Sequence, residues 1–135
     1  MIYAVIDTNV LVSALLSSSK NSATPIVLEN VLNGKIRALY SDEIFDEYKS
    51  VLARKKFNFS PNLVEILLNF IKQNGICITP KSTGVKLIDN DDLPFYEVFY
   101  AKKSKNAFLI TGNIKHFPKD DFILTPREFL QTTSL

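Results

Sequence analysis

The chain is poor in the residues that build metal clusters and covalent staples: its 135 residues include one cysteine and one histidine. A lone Cys77 has no partner for an internal disulfide, and one Cys with one His falls short of the ligand sets zinc uses, so a stapled scaffold and a structural zinc site are both excluded. Cys77 stands between Ile76 and Ile78 and is expected to pack as a small core residue in a reducing, cytoplasmic setting. A dominant charge of one sign is also missing. Sixteen basic side chains against 14 acidic ones leave a formal net charge of +2, too mild for composition alone to mark a nucleic-acid binder. No stretch approaches the roughly 20 apolar residues that span a bilayer. The apolar opening segment lacks the basic start and small-residue cleavage site of a secretion signal and carries Asp7 in its middle. The expectation is an unprocessed cytoplasmic protein with no membrane partner.

What remains is an ordinary globular composition, 46% hydrophobic and 22% charged, long enough for a single domain over residues 1–135 to bury its own core. The run Ile2-Tyr3-Ala4-Val5-Ile6 is apolar on both faces and predicts a central parallel strand. A short helix from Thr8 or Asn9 follows, and then Ser17-Ser18-Ser19-Lys20-Asn21-Ser22, the one low-complexity segment, reads as a loop. Pro25 suits the first turn of the next helix and Gly34 its end. Ile36, Ala38 and Tyr40 alternate with Arg37 and Leu39, which predicts a second strand. Ser41 is placed to cap a helix with Ile44, Phe45, Tyr48, Val51 and Leu52 inward. Ser60-Pro61 opens another, with Leu63, Ile66, Leu67, Phe70 and Ile71 inward, which Asn74-Gly75 closes before a short strand at 76–78. Pro94 starts a helix facing inward with Phe95, Val98 and Phe99. Strands at Ala107 to Ile110 and Phe122 to Leu124 follow, and Thr125-Pro126-Arg127-Glu128 has the spacing of a capping box. Strands alternating with helices predict a three-layer α/β/α sandwich around a central, mainly parallel sheet.

Three acids recur at or near the junction of strand or loop with helix. Asp7 ends the first strand, where open α/β sheets bind ligands. It admits two readings, a cap for the helix that follows or a ligand for something cationic, since a carboxylate near a sheet core is costly without a partner. Glu47 lies a turn and a half inside the Ser41 helix and shares a face with Glu43, while Asp92 precedes Pro94 beside its rival Asp91. Taken singly, Glu47 reads as a solvated helix residue and Asp92 as a cap. A crevice at the carboxyl ends of the strands would gather them, and clustered carboxylates suit a hard divalent cation, Mg²⁺ or Mn²⁺.

Val5-Ile6-Asp7-Thr8-Asn9-Val10, Ser41-Asp42-Glu43-Ile44-Phe45-Asp46-Glu47-Tyr48, Asp89-Asn90-Asp91-Asp92-Leu93-Pro94-Phe95 and Ile110-Thr111-Gly112-Asn113, in that order, resemble the PIN domains, a family of metal-dependent nucleases. Ile114-Lys115-His116-Phe117-Pro118 and Thr125-Pro126-Arg127-Glu128-Phe129-Leu130 look closest to the bacterial branch of toxins from toxin–antitoxin pairs. The resemblance implies that Asp7, Glu47 and Asp92 face a Mg²⁺ or Mn²⁺ ion, with Asp7 the main ligand. It places Asn113 where the family carries a fourth acid, two residues after Thr111; an amide brings no charge, so a second ion should bind more weakly. It also implies hydrolysis of single-stranded RNA, a homodimer and an inhibitory antitoxin protein. Thr8, Asn9 and Thr111 are candidates to hold the ligands by hydrogen bonds. Among the basic residues at 54–56, 102–105 and 115–119, Lys115 and His116 are the candidates for RNA phosphates because they follow Asn113 closely. Glu97 is expected to be solvated. Asn113 also keeps open a rival reading, a catalytically degenerate module of this kind that binds RNA or protein.

Overall fold

In the computed structural model, which describes residues 1–135, strand β1 (Ile2–Ile6) occupies the middle of a five-stranded sheet. Its last three residues are buried, as a run apolar on both faces requires. Strand β2 (Ile36–Tyr40) pairs with it in parallel from Ile2↔Ile36 to Val5↔Leu39, and β4 (Phe108–Ile110) pairs on the other side from Ala4↔Phe108 to Ile6↔Ile110. The two-residue strands β3 (Ile76–Cys77) and β5 (Ile123–Leu124) form the edges, giving the order β3-β2-β1-β4-β5 with every pair parallel. The alternation expected in β2 is incomplete: Leu39 is as buried as its neighbours and only Arg37 faces out, because helices cover both faces of this inner strand.

Helices α1 (Thr8–Leu16), α2 (Ala23–Leu32) and α6 (Pro126–Thr133) pack as one layer, and α3 (Asp42–Leu52), α4 (Pro61–Asn74) and α5 (Leu93–Ala101) as the other, completing the three-layer α/β/α sandwich. Their starts follow local chemistry. Ser41 and Ser60 accept hydrogen bonds from the amides of Ile44 and Leu63, and Thr125 and Glu128 form a reciprocal capping box. No helix is long and apolar enough to cross a membrane.

Two expectations fail at the β3 edge. On α4 only Leu67 and Ile71 are buried, while Leu63 and Ile66 are 63% and 65% exposed, because a two-residue edge strand offers too little surface to cover the whole apolar stripe. Cys77 is exposed rather than packed in the core; with β2 on one side and nothing beyond, its Sγ lies 3.6 Å from an Asp42 carboxylate oxygen. Partial burial and that carboxylate push its thiol pKa up, which lowers its reactivity.

Gly75 ends α4 where the helix meets β2. A Cβ there would stand 2.6 Å from the Ile71 carbonyl and 2.8 Å from the Ala38 carbonyl, both backbone atoms that cannot swing aside. Gly75→Ala is expected to cost about 1–3 kcal/mol and to lower the melting midpoint by roughly 5–10 °C. A thermal melt unchanged within about 2 °C would contradict this close approach.

A candidate acidic site at the carboxyl edge of the sheet

The strand order reverses at β1: the chain moves from β1 to β2 on one side and returns to β4 on the other. The crevice between the carboxyl ends of β1 and β4 is therefore the switch point at which an open α/β sheet accommodates ligands. Asp7 and Thr111, the first residues after these two strands, face each other across it. The Asp7 amide donates to the Ile110 carbonyl (3.0 Å) and the Thr111 amide to the Leu124 carbonyl (3.0 Å), so both residues still sit on the ladder. Thr111, fully buried, donates its hydroxyl to Oδ2 of Asp7 (2.7 Å).

Both readings of Asp7 stand together in this geometry. The residue occupies the cap position of α1, where its carboxylate makes no well-formed capping bond but lies near the amides of Thr8 and Asn9. It is 4% exposed, and burial raises its pKa; the Thr111 hydroxyl and the nearby amides of Asn9 and Thr8 pull the other way without cancelling the effect.

Helix α3 is pinned to the segment on either side of Asp7. Thr8 donates its hydroxyl to Oε2 of the half-buried Glu47, and the phenol of the fully buried Tyr48 donates to the Ile6 carbonyl (2.5 Å). The third acid arrives on a short turn, Asn90–Asp92, closed by Asp89 accepting from the Asp91 amide (2.9 Å). Asp92 is half-buried and its Oδ2 lies 3.1 Å from Nδ1 of His116. When Asp92 is ionised its oxygen only accepts, and Nδ1 then carries the proton of that bond. Asp91 is exposed, with no side-chain partner.

The three acids share one electrostatic field. Burial is the largest cause raising the pKa of Glu47 and of Asp92; Asp7, Asp91 and Asp92 then repel Glu47, and Asp7 and Asp89 repel Asp92. Hydrogen bonds from Thr8 and His116 offset this in part. For an acid whose folded pKa is raised, the stabilising contribution is complete below the unfolded pKa and is lost as pH rises through the folded value. In chelator, wild-type protein is therefore expected to melt below Asp7→Asn at pH 7, and the gap should close as pH falls toward about 4, the ordinary carboxyl range. A gap that widens on acidification would contradict the buried, raised Asp7.

Of the remaining sequence candidates, Asn9 is exposed and makes no side-chain hydrogen bond, so only its amide faces Asp7. Asn113 is exposed too; its amide donates to Thr111 Oγ1 (3.0 Å), but its side chain has no partner. Lys115 is exposed on the turn that follows, whereas His116 turns back to Asp92. Glu43 stays exposed and outside the cluster. Glu97 is not merely solvated: it accepts from the amide (2.7 Å) and hydroxyl (3.3 Å) of Thr83 and so ties down a loop. Lys103 is held by Asp120 at 2.5 Å. The residues that sequence reasoning did not assign to the site are Tyr48 and, as a partner for Asp92, His116. The one available signal for His116 was its spacing of three from Asn113, a single 3₁₀ turn.

The donor set is entirely oxygen and matches a hard divalent cation. Each acid has one oxygen tied to Thr111, Thr8 or His116 and another with no side-chain partner. Held this way, the acids do not converge three at a time around one point that an ion could fill. Closure calls for a side-chain rotation, and Glu47, half-buried and with one more torsion than an aspartate, has the most freedom for it. A cavity of about 800 Å³ between α3 and α4, lined by Phe45, Leu52, Phe59 and Leu68 among others, does not include these acids.

A family model described as PIN domain matches residues 3–115, a span that includes Asp7, Glu47, Asp92 and Asn113. No curated protein and no solved structure matches the chain.

Proposed function

The chain belongs to the PIN-domain family, whose members are generally nucleases, and from that premise we propose that it is a Mg²⁺- or Mn²⁺-dependent endoribonuclease acting on single-stranded RNA. The observation that carries this reading is the set of three carboxylates, Asp7, Glu47 and Asp92, supplied by separate elements to one switch-point crevice and repelling one another there. Repulsion among buried acids is unfavourable alone and favourable to a divalent cation, which relieves it. Asp7, Glu47 and Asp92 are the residues that would hold the ion. When bound, such an ion lowers the pKa of an attacking water and stabilises charge developing on the phosphate.

The chain's own residues do the rest. Thr111 fixes one oxygen of Asp7, so that its free oxygen keeps a constant orientation, and Thr8 keeps Glu47 beside the crevice, from where a side-chain rotation would bring it to the ion. The oxygen of Asp92 that His116 leaves free would serve either as a second ligand or to orient the attacking water. Lys115, exposed beside the crevice, contacts a flanking phosphate without reading sequence. Asn113 adds an uncharged amide and favours one ion over two.

We extend the proposal to biological role: the toxin of a type II toxin–antitoxin pair, a homodimer held inactive in the cytoplasm by a cognate antitoxin protein. Its support is the likeness of the Ile114–Pro118 and Thr125–Leu130 segments to that branch. Cleavage of a labelled single-stranded RNA should require Mg²⁺ or Mn²⁺ and stop in chelator; absence of cleavage with either ion would overturn the ribonuclease reading. The uncharged, unpartnered Asn113 side chain favours one alternative, a catalytically degenerate PIN-like module that binds RNA or protein. That alternative predicts RNA or protein binding without turnover.

A further inference from the structure

Between the end of β4 and the core, residues 111–117 form a continuous hydrogen-bonded strut. Thr111 Oγ1 donates to Asp7 Oδ2 (2.7 Å) and accepts from the Asn113 amide (3.0 Å). The Asn113 carbonyl accepts from the His116 amide (2.9 Å), and the Ile114 carbonyl from the Phe117 amide (3.2 Å). His116 Nδ1 then reaches Asp92 Oδ2 at 3.1 Å. Both ends are anchored, since Thr111 is tied to Leu124 by its amide and Phe117 is 7% exposed. Asp7 just after β1 and Asp92 before α5 are otherwise far apart in sequence, and this strut is what links their carboxylates.

We infer that His116 is a positioning residue for Asp92, and that the Thr111–His116 turn is a brace fixing the separation of the Asp7 and Asp92 carboxylates. The inference rests on the proposed metal site and assigns His116 a different task from gripping RNA. Nδ1 is committed to the Asp92 carboxylate, which holds the ring and leaves only Nε2 open to RNA, whereas Lys115 is the exposed basic side chain of the turn. Asn113 serves the brace through its backbone. Residues that orient a metal ligand in this way govern ion affinity, typically by about 10- to 100-fold.

The test compares wild type with His116→Ala, His116→Phe and His116→Asn, measuring Mn²⁺ affinity by calorimetry, kcat and KM on single-stranded RNA, and the melting midpoint in chelator. His116→Ala and His116→Phe should each weaken Mn²⁺ binding and kcat by about 10- to 100-fold, with KM changed less than about twofold. His116→Asn, whose amide N–H can stand where Nδ1–H stood, should recover most of both. Unchanged or tighter Mn²⁺ binding in His116→Ala overturns the inference, as does a raised KM at constant kcat, which would mark an RNA contact. It is also overturned if His116→Asn is as impaired as His116→Ala. Wild-type protein that binds Mn²⁺ but cleaves no RNA overturns the ribonuclease reading alone, because the Mn²⁺ comparison still reads the brace; wild-type protein that binds no Mn²⁺ overturns both.

Discussion

Asp7→Asn is expected to reduce metal-dependent RNA cleavage by more than about 100-fold, beyond the range caused by losing a group that merely supports a ligand. The protein should stay folded and melt higher than wild type in chelator at pH 7. The amide keeps the size of the side chain, and its oxygen can still accept from Thr111, so the bridge between β1 and β4 survives. What disappears is an acid whose charged form burial disfavours: the folded pKa of Asp7 lies above its unfolded value, so at neutral pH the carboxyl group weighs against folding. Loss of activity with a gain in stability is the signature of a group kept for chemistry. Undiminished cleavage by pure variant protein would remove Asp7 from the site. A lower melting midpoint would instead make its bond to Thr111 chiefly structural.

Tyr48→Ala is expected to be the most damaging substitution for stability, costing about 3–5 kcal/mol and lowering the melting midpoint by roughly 10–20 °C. The ring is fully buried, packs at a tilt 6.4 Å from Phe95, and donates its hydroxyl to the Ile6 carbonyl. Alanine leaves a cavity between α3 and α5 and frees the carbonyl just before Asp7. Tyr48→Phe isolates the second effect, at about 1–3 kcal/mol. Assayed well below its melting point, Tyr48→Phe should also lose part of kcat, because the hydroxyl fixes α3, and with it Glu47, against β1. A Tyr48→Ala protein that melts within about 3 °C of wild type would show that this contact does not hold the two elements together.

Much of the architecture is written in local pattern. Ile2–Ile6 announces a central strand because both of its faces are apolar, and Ser41, Ser60 and Thr125 announce helix starts because capping is a contact between residues three apart. Position within the sheet is different, since it depends on strand order. Leu63, Ile66 and Cys77 look like core residues until β3 proves to be a two-residue edge. The same division runs through the candidate site. Asp7 stands out in sequence as an acid closing an apolar run, and Thr111 as the residue after another. The long-range partnerships do not stand out: Thr8 meets a residue 39 positions away and His116 one 24 positions away. Each of those two residues also has a sufficient local explanation, as a first-turn helix residue and as one of several scattered basic groups. Only the packing of α3 and α5 beside the switch point reveals what each one holds.

The most direct test of a metal site built on Asp7 is calorimetric titration of wild-type protein and Asp7→Asn with Mn²⁺, without RNA. A site of mutually repelling carboxylates should bind Mn²⁺ in the millimolar range or tighter in wild type, and that heat should vanish in Asp7→Asn. Equal heats in the two proteins, or none in wild type, would contradict it.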